Sequence, residues 1–184
     1  GGNPYHPTPV PNGSVSHEFL QDKLWIGIAV SAPFGLGSEY DENWFGRFDS
    51  TETKLSTLDI QPSFAVKLHD KVSIGGGINI QFADANLKKV VNAGAGELLS
   101  ELKGDDMSIG YNVGLLYEPM EGTTFGAHYR SGVHHDLKGR VRTFSGGTAL
   151  TSTQATAELD LPEIIQFGAN HHINNKLSVQ AGAT

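Results

Sequence analysis

The fold is decided by the stretch Leu58-Asp59-Ile60-Gln61-Pro62-Ser63-Phe64-Ala65-Val66-Lys67-Leu68. Every second residue, from Leu58 to Leu68, is apolar, and the residues between them are small or polar. Because successive side chains of a strand point to opposite sides, this period of two predicts a β-strand with one apolar face and one polar face.

The same alternation recurs along the chain after a short polar turn. The turns are Gln21-Asp22-Lys23-Leu24, His69-Asp70-Lys71-Val72 and Asn174-Asn175-Lys176-Leu177, and Pro119-Met120-Glu121-Gly122 stands where a fourth is due. The alternating segments predict eight strands, at about 14–20, 23–32, 55–68, 71–84, 106–118, 123–142, 156–170 and 176–184. Long loops are expected after Ala32, Asp84 and Thr143. Short turns on one side and long loops on the other indicate an all-β, antiparallel, up-and-down barrel.

Composition excludes several classes of protein. No window approaches the roughly 18 consecutive apolar residues of a membrane helix, and mean hydropathy is -0.24. The chain has no cysteine, which removes disulfide scaffolds, thiolate metal sites and cysteine nucleophiles. A net charge of -7 argues against a nucleic-acid partner, because phosphate binding needs a basic surface.

The composition of the polar face separates two possible solvents. Most predicted strands match the roughly 9 to 11 residues that cross a bilayer at a tilt. A water-exposed strand face is typically rich in Lys, Glu and Thr, whereas this one holds mainly Gly, Ser, Ala, Asn and Gln. We therefore expect a transmembrane barrel with its apolar face towards lipid. A soluble barrel with inverted faces would alternate in the same way, and this alternative stays open here.

Four segments carry a family resemblance. They are Ala32-Pro33-Phe34-Gly35-Leu36-Gly37-Ser38-Glu39-Tyr40, Gly110-Tyr111-Asn112-Val113-Gly114-Leu115-Leu116-Tyr117-Glu118, Tyr129-Arg130-Ser131 followed by Leu137-Lys138-Gly139, and Leu161-Pro162-Glu163. In this order and spacing the chain resembles the FadL family of outer-membrane transporters for long-chain fatty acids and, in the TodX-like branch, aromatic hydrocarbons. The resemblance extends from about Val15 to the end.

The resemblance implies a 14-stranded barrel with an N-terminal hatch, which takes apolar molecules from outside and releases them sideways at a strand kink. We expect residues 1–184 to be a partial barrel domain of about eight strands, without the hatch and the last strands. Asn3-Pro4-Tyr5 lacks the alanine of the family's Asn-Pro-Ala hatch motif. The implied location is the outer membrane, with lipid and lipopolysaccharide as neighbours and a monomeric state.

Two apolar clusters and a polar set are the candidate ligand-binding residues. In the segment from Asn86 to Gly104, the spacing of Leu98, Leu99 and Leu102, together with Val90, predicts a short amphipathic helix in an extracellular loop. This helix either receives ligand or covers the barrel mouth. The second cluster, in the preceding loop, comprises Phe34, Leu36, Trp44 and Phe45, and the polar set comprises Asn112, His128 and Arg130.

Arg130 has two readings. In the first, it offers a bidentate partner for a fatty-acid carboxylate, and Lys88 and Lys89 could attract the same carboxylate by their charge. In the second, it forms a salt bridge with Asp59 or Glu118 that holds strands together. Asp84 and Asn86 stand where fatty-acid members of the family are more basic, and this favours a neutral hydrophobic ligand.

We expect neither metal nor cofactor nor catalysis. The adjacent pairs His134-His135 and His171-His172 point to opposite faces of a strand, so neither pair can chelate one ion. No Gly-x-Ser-x-Gly elbow is present. The expected function is therefore passive uptake of hydrophobic small molecules, long-chain fatty acids or hydrocarbons, across the outer membrane. A general porin and a soluble β-barrel lipid-binding module are the alternatives, and an outer-membrane lipase is a weaker one.

Overall fold

A computed structural model describes residues 10–94, 96–174 and 177–184, and every regular element in these ranges is a β-strand. The strands are β1 Asn12–Leu20, β2 Leu24–Ser31, β3 Gly35–Glu39, β4 Glu52–His69, β5 Val72–Asn92, β6 Glu97–Met120, β7 Thr123–Arg130, β8 Val133–Ser145, β9 Thr148–Leu161, β10 Ile164–Asn174 and β11 Leu177–Ala183. Within the described ranges, no helix has the length and apolar character needed to span a bilayer.

All strands belong to one antiparallel sheet. Eight of them follow the path β1-β2-β4-β5-β6-β7-β10-β11, while β3 adds to β4, and β8 and β9 form a hairpin beside β6. The predicted antiparallel sheet is confirmed, but the predicted number of eight strands is too low. The described residues form eleven strands, because β3 is added and the predicted strands 123–142 and 156–170 are each broken into two. The polar turns at Asp22, Asp70 and Glu121 are confirmed too, whereas part of the turn at Asn174-Asn175-Lys176 lies outside the described residues.

The two faces of the sheet differ as the alternation predicts. We call them the apolar face and the polar face. The apolar face carries exposed large side chains, among them Phe64 at 50%, Ile78 at 51% and Val113 at 49%. The largest fully buried side chains belong to the polar face and are all polar: His135, Gln81, Asn79 and Asp59. Because the apolar side chains are exposed instead of gathered in a closed core, the sheet is built for an apolar surrounding on that face.

The predicted helix between Asn86 and Gly104 is wrong, because both halves of this segment are strand. Residues up to Asn92 extend β5, and residues from Glu97 begin β6. Pairing continues without a shift to Asn92↔Glu97, and Gly94 adopts a φ of 78° between the strands. Each residue added to this hairpin gains a cross-strand neighbour, so pairing outweighs a leucine spacing that also fits a helix.

The expected long loops are likewise partly strand. After Ala32 the chain forms β3, which pairs with β4 from Gly35↔Ser56 to Glu39↔Glu52. After Thr143 the chain turns tightly at Gly146 and Gly147, with φ values of 51° and 82°, and returns as β9. The rim opposite the short turns is therefore built of long hairpins.

The predicted strand 123–142 is broken at Ser131-Gly132. Before the break, Arg130 pairs with Asn112 of β6; beyond it, Lys138 pairs with Asp105. Across the break the Ser131 side chain accepts a hydrogen bond from the Tyr111 amide at 2.9 Å. From Arg130 to Lys138 the chain takes eight steps, against seven from Asn112 to Asp105 on β6, so one extra residue shifts the alternation. The first residues of β8 lie across the polar face of β6 towards β5.

A glycine permits this crossing. A Cβ at Gly110 would lie 2.9 Å from Ser131 Oγ and 2.9 Å from Val133 Cγ2, closer than real Cβ contacts. Val133 is in consequence only 5% exposed. The inward course of β8 is what buries the polar residues beneath it.

Candidate functional site

A buried carboxylate organises the centre of the polar face. Asp59 of β4 is 0% exposed. It accepts hydrogen bonds from Gln81 Nε2 at 2.6 Å, Asn79 Nδ2 at 3.2 Å and Gln61 Nε2 at 3.1 Å. The guanidinium of Arg130 in β7 forms an ion pair with the same carboxylate. A buried charge is costly unless it is both paired and hydrogen-bonded, and Asp59 is both.

The network continues to both sides of Asp59. Asn112 Nδ2 donates to Asn79 Oδ1 at 2.7 Å, and Gln61 Nε2 donates to Ser31 Oγ at 2.9 Å. Side chains of β2, β4, β5, β6 and β7 are thereby joined. We call this set, with His135 and Asp106, the polar network.

His135 extends the polar network from β8. Its ring is 0% exposed, with Nε2 3.0 Å from Gln81 Oε1 and Nδ1 2.9 Å from Asp106 Oδ2. Since Gln81 Nε2 donates to Asp59, Gln81 Oε1 is an acceptor and His135 Nε2 must carry a proton.

An apolar patch lies beyond the polar network, on the same face and towards the long hairpins. Leu102 pairs with Leu87 of β5 and with Val141 of β8, and Leu36 of β3 pairs with Leu55 of β4. Leu36 is 55% exposed and Leu87 is 41% exposed. Exposed apolar side chains grouped on a face that is otherwise polar are the usual mark of a binding surface.

A shallow concavity lies on the other side of the polar network, towards the short turns. Its volume is about 470 Å³, and its lining includes Ser73, Gly75, Gly114, His128, Gln166 and Gly168. The absence of side chains at three of these positions creates the space. His128 stands beside Gly114 and Gln166 in the register of three neighbouring strands.

A second apolar site occupies the apolar-face side of the long hairpins. Val90, Leu99 and Phe144 stand in one row across β5, β6 and β8. They line a groove of about 460 Å³, together with Glu42 and Asn43 of the loop before β4 and with the charged side chains of Lys88, Glu97 and Glu101. We call it the outer groove.

The loop beside the outer groove carries the predicted aromatic residues. Trp44 stacks on Tyr40 with ring centroids 4.3 Å apart, and its Nε1 donates to the Ser50 carbonyl at 2.8 Å. Phe45 meets Trp44 edge-on and is 92% exposed. Trp44 is thus a structural anchor of the loop, and Phe45 is the side chain that the loop presents to its surroundings.

Ion pairs fasten this loop to the hairpins beyond the apolar face. Arg47 Nη2 lies 2.7 Å from Glu97 Oε1, and this hydrogen bond raises the pKa of Arg47 and lowers that of Glu97. Lys88 Nζ lies 2.5 Å from Glu52 Oε2, and this contact raises the pKa of Lys88. Lys88 is therefore engaged with a carboxylate of its own chain.

The structure divides the candidate ligand-binding residues between two sides of the sheet. Leu36, Leu98, Leu102, Asn112, His128 and Arg130 belong to the polar face. Val90 and Leu99 line the outer groove, which the loop carrying Trp44 and Phe45 borders, and Leu98 at the start of β6 also contributes to its lining. Leu99 thus does not share a face with Leu98 and Leu102, because the segment is strand. Phe34 lies between β2 and β3, where its amide donates to Thr57 Oγ1 at 3.0 Å.

Arg130 takes the structural one of its two predicted roles, since it pairs with Asp59. His135 and Asp106 are the functional residues that sequence reasoning missed. The signal for His135 was present in the alternation Val133, His135, Leu137, which continues on one face of β8. Among the described residues, no group of three His, Asp or Glu is arranged to hold a metal ion.

Comparison with known proteins gives consistent matches. The family model described as "Outer membrane protein transport protein (OMPP1/FadL/TodX)" matches residues 1–184. The chain is 26% identical over 144 residues to the long-chain fatty acid transport protein of Escherichia coli, covering 65% of this chain and 32% of that protein. It is 24% identical over 193 residues to outer membrane protein P1 of Haemophilus influenzae, covering 87% and 42%.

Solved structures share the fold. A Pseudomonas aeruginosa FadL homologue superposes with a TM-score of 0.84 at 24% identity, covering 94% of this chain and 47% of that one. The Pseudomonas putida toluene transporter TodX superposes with a TM-score of 0.69 at 17% identity, covering 93% and 53%. The chain thus spans about a third to a half of the length of the proteins that it matches.

Because the family model spans every residue of the sequence, the comparison shows the family directly. Its members include outer-membrane transport proteins, and the neighbours in structure are barrels of the same plan. The chain belongs to the OMPP1/FadL/TodX family of outer-membrane transport proteins.

Proposed function

We propose that the protein containing this chain takes up hydrophobic small molecules passively across the outer membrane. The observation that carries the proposal is the apolar patch around Leu36, Leu87 and Leu102, which lies on the polar face and not on the face suited to lipid. An apolar molecule that enters from outside meets this patch before it reaches the polar network. Capture there needs only burial of apolar area, without any chemical step.

The ligand class follows from which charges are free. Arg130 is neutralised by Asp59, and Lys88 is engaged with Glu52. A fatty-acid carboxylate would therefore have to break an existing ion pair to use either residue. Lys89 of β5 forms no ion pair among the described residues, but it is exposed, so pairing with it is screened by water and adds little. A hydrocarbon needs no cation, so we propose that neutral apolar molecules bind better than fatty acids.

The family names support the same class of ligand. One relative is a long-chain fatty acid transport protein, and one structural neighbour is a toluene transporter. We propose further that residues 1–184 are a partial barrel domain and that the rest of the barrel closes the sheet beside β1 and β11. Both of these strands have a paired neighbour on one side only. Open edges are not tolerated in lipid.

The test compares two leucines of one strand that lie on opposite faces. In the full-length protein, Leu102→Asp places a charge in the apolar patch, and Leu99→Asp is the matched control in the outer groove. Loss of about 2 kcal/mol of apolar contact corresponds to about thirty-fold in affinity. We expect Leu102→Asp to lower uptake of labelled toluene and of labelled palmitate into cells by about this factor, and Leu99→Asp to lower it little.

Two further results complete the test. Competition between toluene and palmitate for the wild-type protein ranks neutral against charged ligands, and stronger competition by palmitate would contradict the proposed preference. Equal uptake by the Leu102→Asp variant and the wild type, at equal protein levels in the outer membrane, would refute the apolar patch as the capture site.

A further inference from the structure

An exposed strip of positive charge runs along β8. Lys138, Arg140 and Arg142 alternate in sequence and therefore lie on one face of the strand, opposite to His135 and Leu137. All three are exposed, and among the described residues none takes part in an ion pair. In a chain whose net charge is -7, such a grouping is uncommon. We call these three residues the cationic strip.

The strand beside the cationic strip supplies neutral hydrogen-bonding groups. Across from Lys138, Arg140 and Arg142 stand Thr156, Gln154 and Ser152 of β9. All three are exposed. Hydroxyl and amide groups next to guanidinium groups donate hydrogen bonds to an anion without adding opposing charge.

On the β6 side, Asp105, Lys103 and Glu101 stand across from Lys138, Arg140 and Arg142. Asp105 therefore reduces the charge of Lys138. Glu101 faces Arg142, but it is only 8% exposed, and its carboxylate lies 3.0 Å from Lys103 Nζ and 3.9 Å from Lys88 Nζ. Arg140 faces no carboxylate on β6 or β9 and carries the largest share of the free positive charge of the cationic strip.

The position of the cationic strip along the strands sets its depth. Lys138 pairs with Asp105 of β6, two residues beyond Met107. The exposed side chain of Met107 is the last apolar one on this face of β6 before the charged residues Asp105, Lys103 and Glu101. At about 3.3 Å per residue, Lys138 lies about 7 Å and Arg140 about 13 Å past Met107 along the strand. With a strand tilt of about 40°, these distances become about 5 and 10 Å of height. The headgroup layer is roughly 5 to 8 Å thick, so Lys138 lies within it, and Arg140 and Arg142 lie above it, from where their long side chains can reach back to the headgroups.

We propose that the cationic strip binds the phosphate groups of the glycolipid in the outer leaflet, the lipid A portion of lipopolysaccharide. Arg140 and Arg142 each offer the planar fork that fits a phosphate in a bidentate manner. Alternate residues of a strand lie about 7 Å apart, which lets neighbouring side chains converge on one anion. The cationic strip faces the same side as the apolar face, which favours a lipid over a solute in the lumen.

The inference rests on the outer-membrane placement of the proposed function, but not on transport of any ligand. Its test is binding of lipid A to the detergent-solubilised full-length protein, measured by native mass spectrometry. The probes are bisphosphorylated lipid A, the same lipid without phosphate, and phosphatidylglycerol. The variant is Arg140→Gln/Arg142→Gln, and the control is Lys23→Gln/Lys71→Gln, which removes two exposed charges at the short turns.

We expect the double arginine variant to bind bisphosphorylated lipid A at least tenfold more weakly, and the control to bind it as the wild type does. The wild type should bind the phosphate-free lipid at least tenfold more weakly than the bisphosphorylated one. Equal binding of the two lipids by the wild type would overturn the proposal, even if the arginine variant failed to fold. Unchanged binding by a folded arginine variant would overturn it as well, and so would equal or tighter binding of phosphatidylglycerol.

The two proposals fail separately. The arginine variant should retain toluene uptake, and Leu102→Asp should retain lipid A binding. Loss of uptake in Leu102→Asp together with unchanged lipid A binding in the arginine variant would leave the transport proposal standing and remove this one.

Discussion

The ion pair between Asp59 and Arg130 gives the sharpest energetic prediction. Asp59 is 0% exposed and Arg130 is 7% exposed, so Asp59→Asn leaves a buried guanidinium without a counter-charge. Removal of one partner of a buried pair costs about 3 to 5 kcal/mol. Arg130→Met should cost about as much, at the lower end, because three amide donors still surround Asp59.

The double variant Asp59→Asn/Arg130→Met removes both charges and keeps an oxygen for the amide donors. Its cost should therefore fall at least about 2 kcal/mol below the sum of the single costs. The assay is urea unfolding of the full-length protein in liposomes, followed by fluorescence of Trp25 and Trp44.

An exposed ion pair between β8 and β9 serves as a control that separates the effect of burial from the effect of charge. His134 and Asp160 are 2.5 Å apart, with side chains 52% and 83% exposed. His134→Asn and Asp160→Asn should show only a small coupling, well below that of the buried pair, because water screens an exposed pair. The account of the polar network would be refuted if the double variant lost as much unfolding free energy as the two single variants together. It would also be refuted if each single variant lost no more than the His134 and Asp160 control variants do.

Two further predictions concern packing and pH. A Cβ at Gly77 would lie 2.7 Å from the Pro62 carbonyl, whereas one at Gly13 would have no atom within 4 Å. In the same unfolding assay, Gly77→Ala should therefore cost about 1 to 3 kcal/mol and Gly13→Ala almost nothing. Equal costs for the two variants would contradict the close approach at Gly77. The hydrogen bond to Asp160 raises the pKa of His134 above its ordinary 6.5, so the contribution of this pair to hairpin stability is present below pH 6.5 and is lost as pH rises through the raised pKa. NMR titration of the ring should show the raised pKa and its return towards the ordinary value in Asp160→Asn; an unchanged titration in that variant would contradict the cause.

The sequence determines the strands wherever one face is apolar and the other is not. From Leu58 to Leu68 and from Val72 to Phe82, the alternation alone predicts strand, face and neighbour. The prediction failed between Asn86 and Gly104, because a hairpin with apolar residues on both faces has no clean period, and Leu98, Leu99 and Leu102 then fit a helix as well as a strand. Only the pairing Leu102↔Leu87 resolves the choice, and pairing is not visible in a single segment.

The candidate site was predictable in part for a related reason. The local alternation of apolar and polar residues places Asp59, Gln81 and Asn112 on the polar face. Their hydrogen bonds, however, depend on the register with which β4, β5 and β6 pair. The place of His135 in the polar network was not predicted, because it results from the break at Ser131-Gly132, which carries β8 across the polar face. A bulge of this kind changes which residues face inward, and nothing short of the three-dimensional course of β8 reveals the contact with Gln81.

The central claim, that the apolar face meets lipid while the polar face lines a passage, is tested most directly by a cysteine scan of residues 61–66. Residues 1–184 contain no cysteine, so in the full-length protein, with any cysteine outside these residues replaced by serine, each position can carry a single spin label. In liposomes, labels at Pro62, Phe64 and Val66 should be accessible to oxygen and shielded from a water-soluble nickel chelate, while labels at Gln61, Ser63 and Ala65 should show the opposite preference. Shielding of Phe64 from both probes, as in a closed dry core, or a reversed pattern would contradict the account.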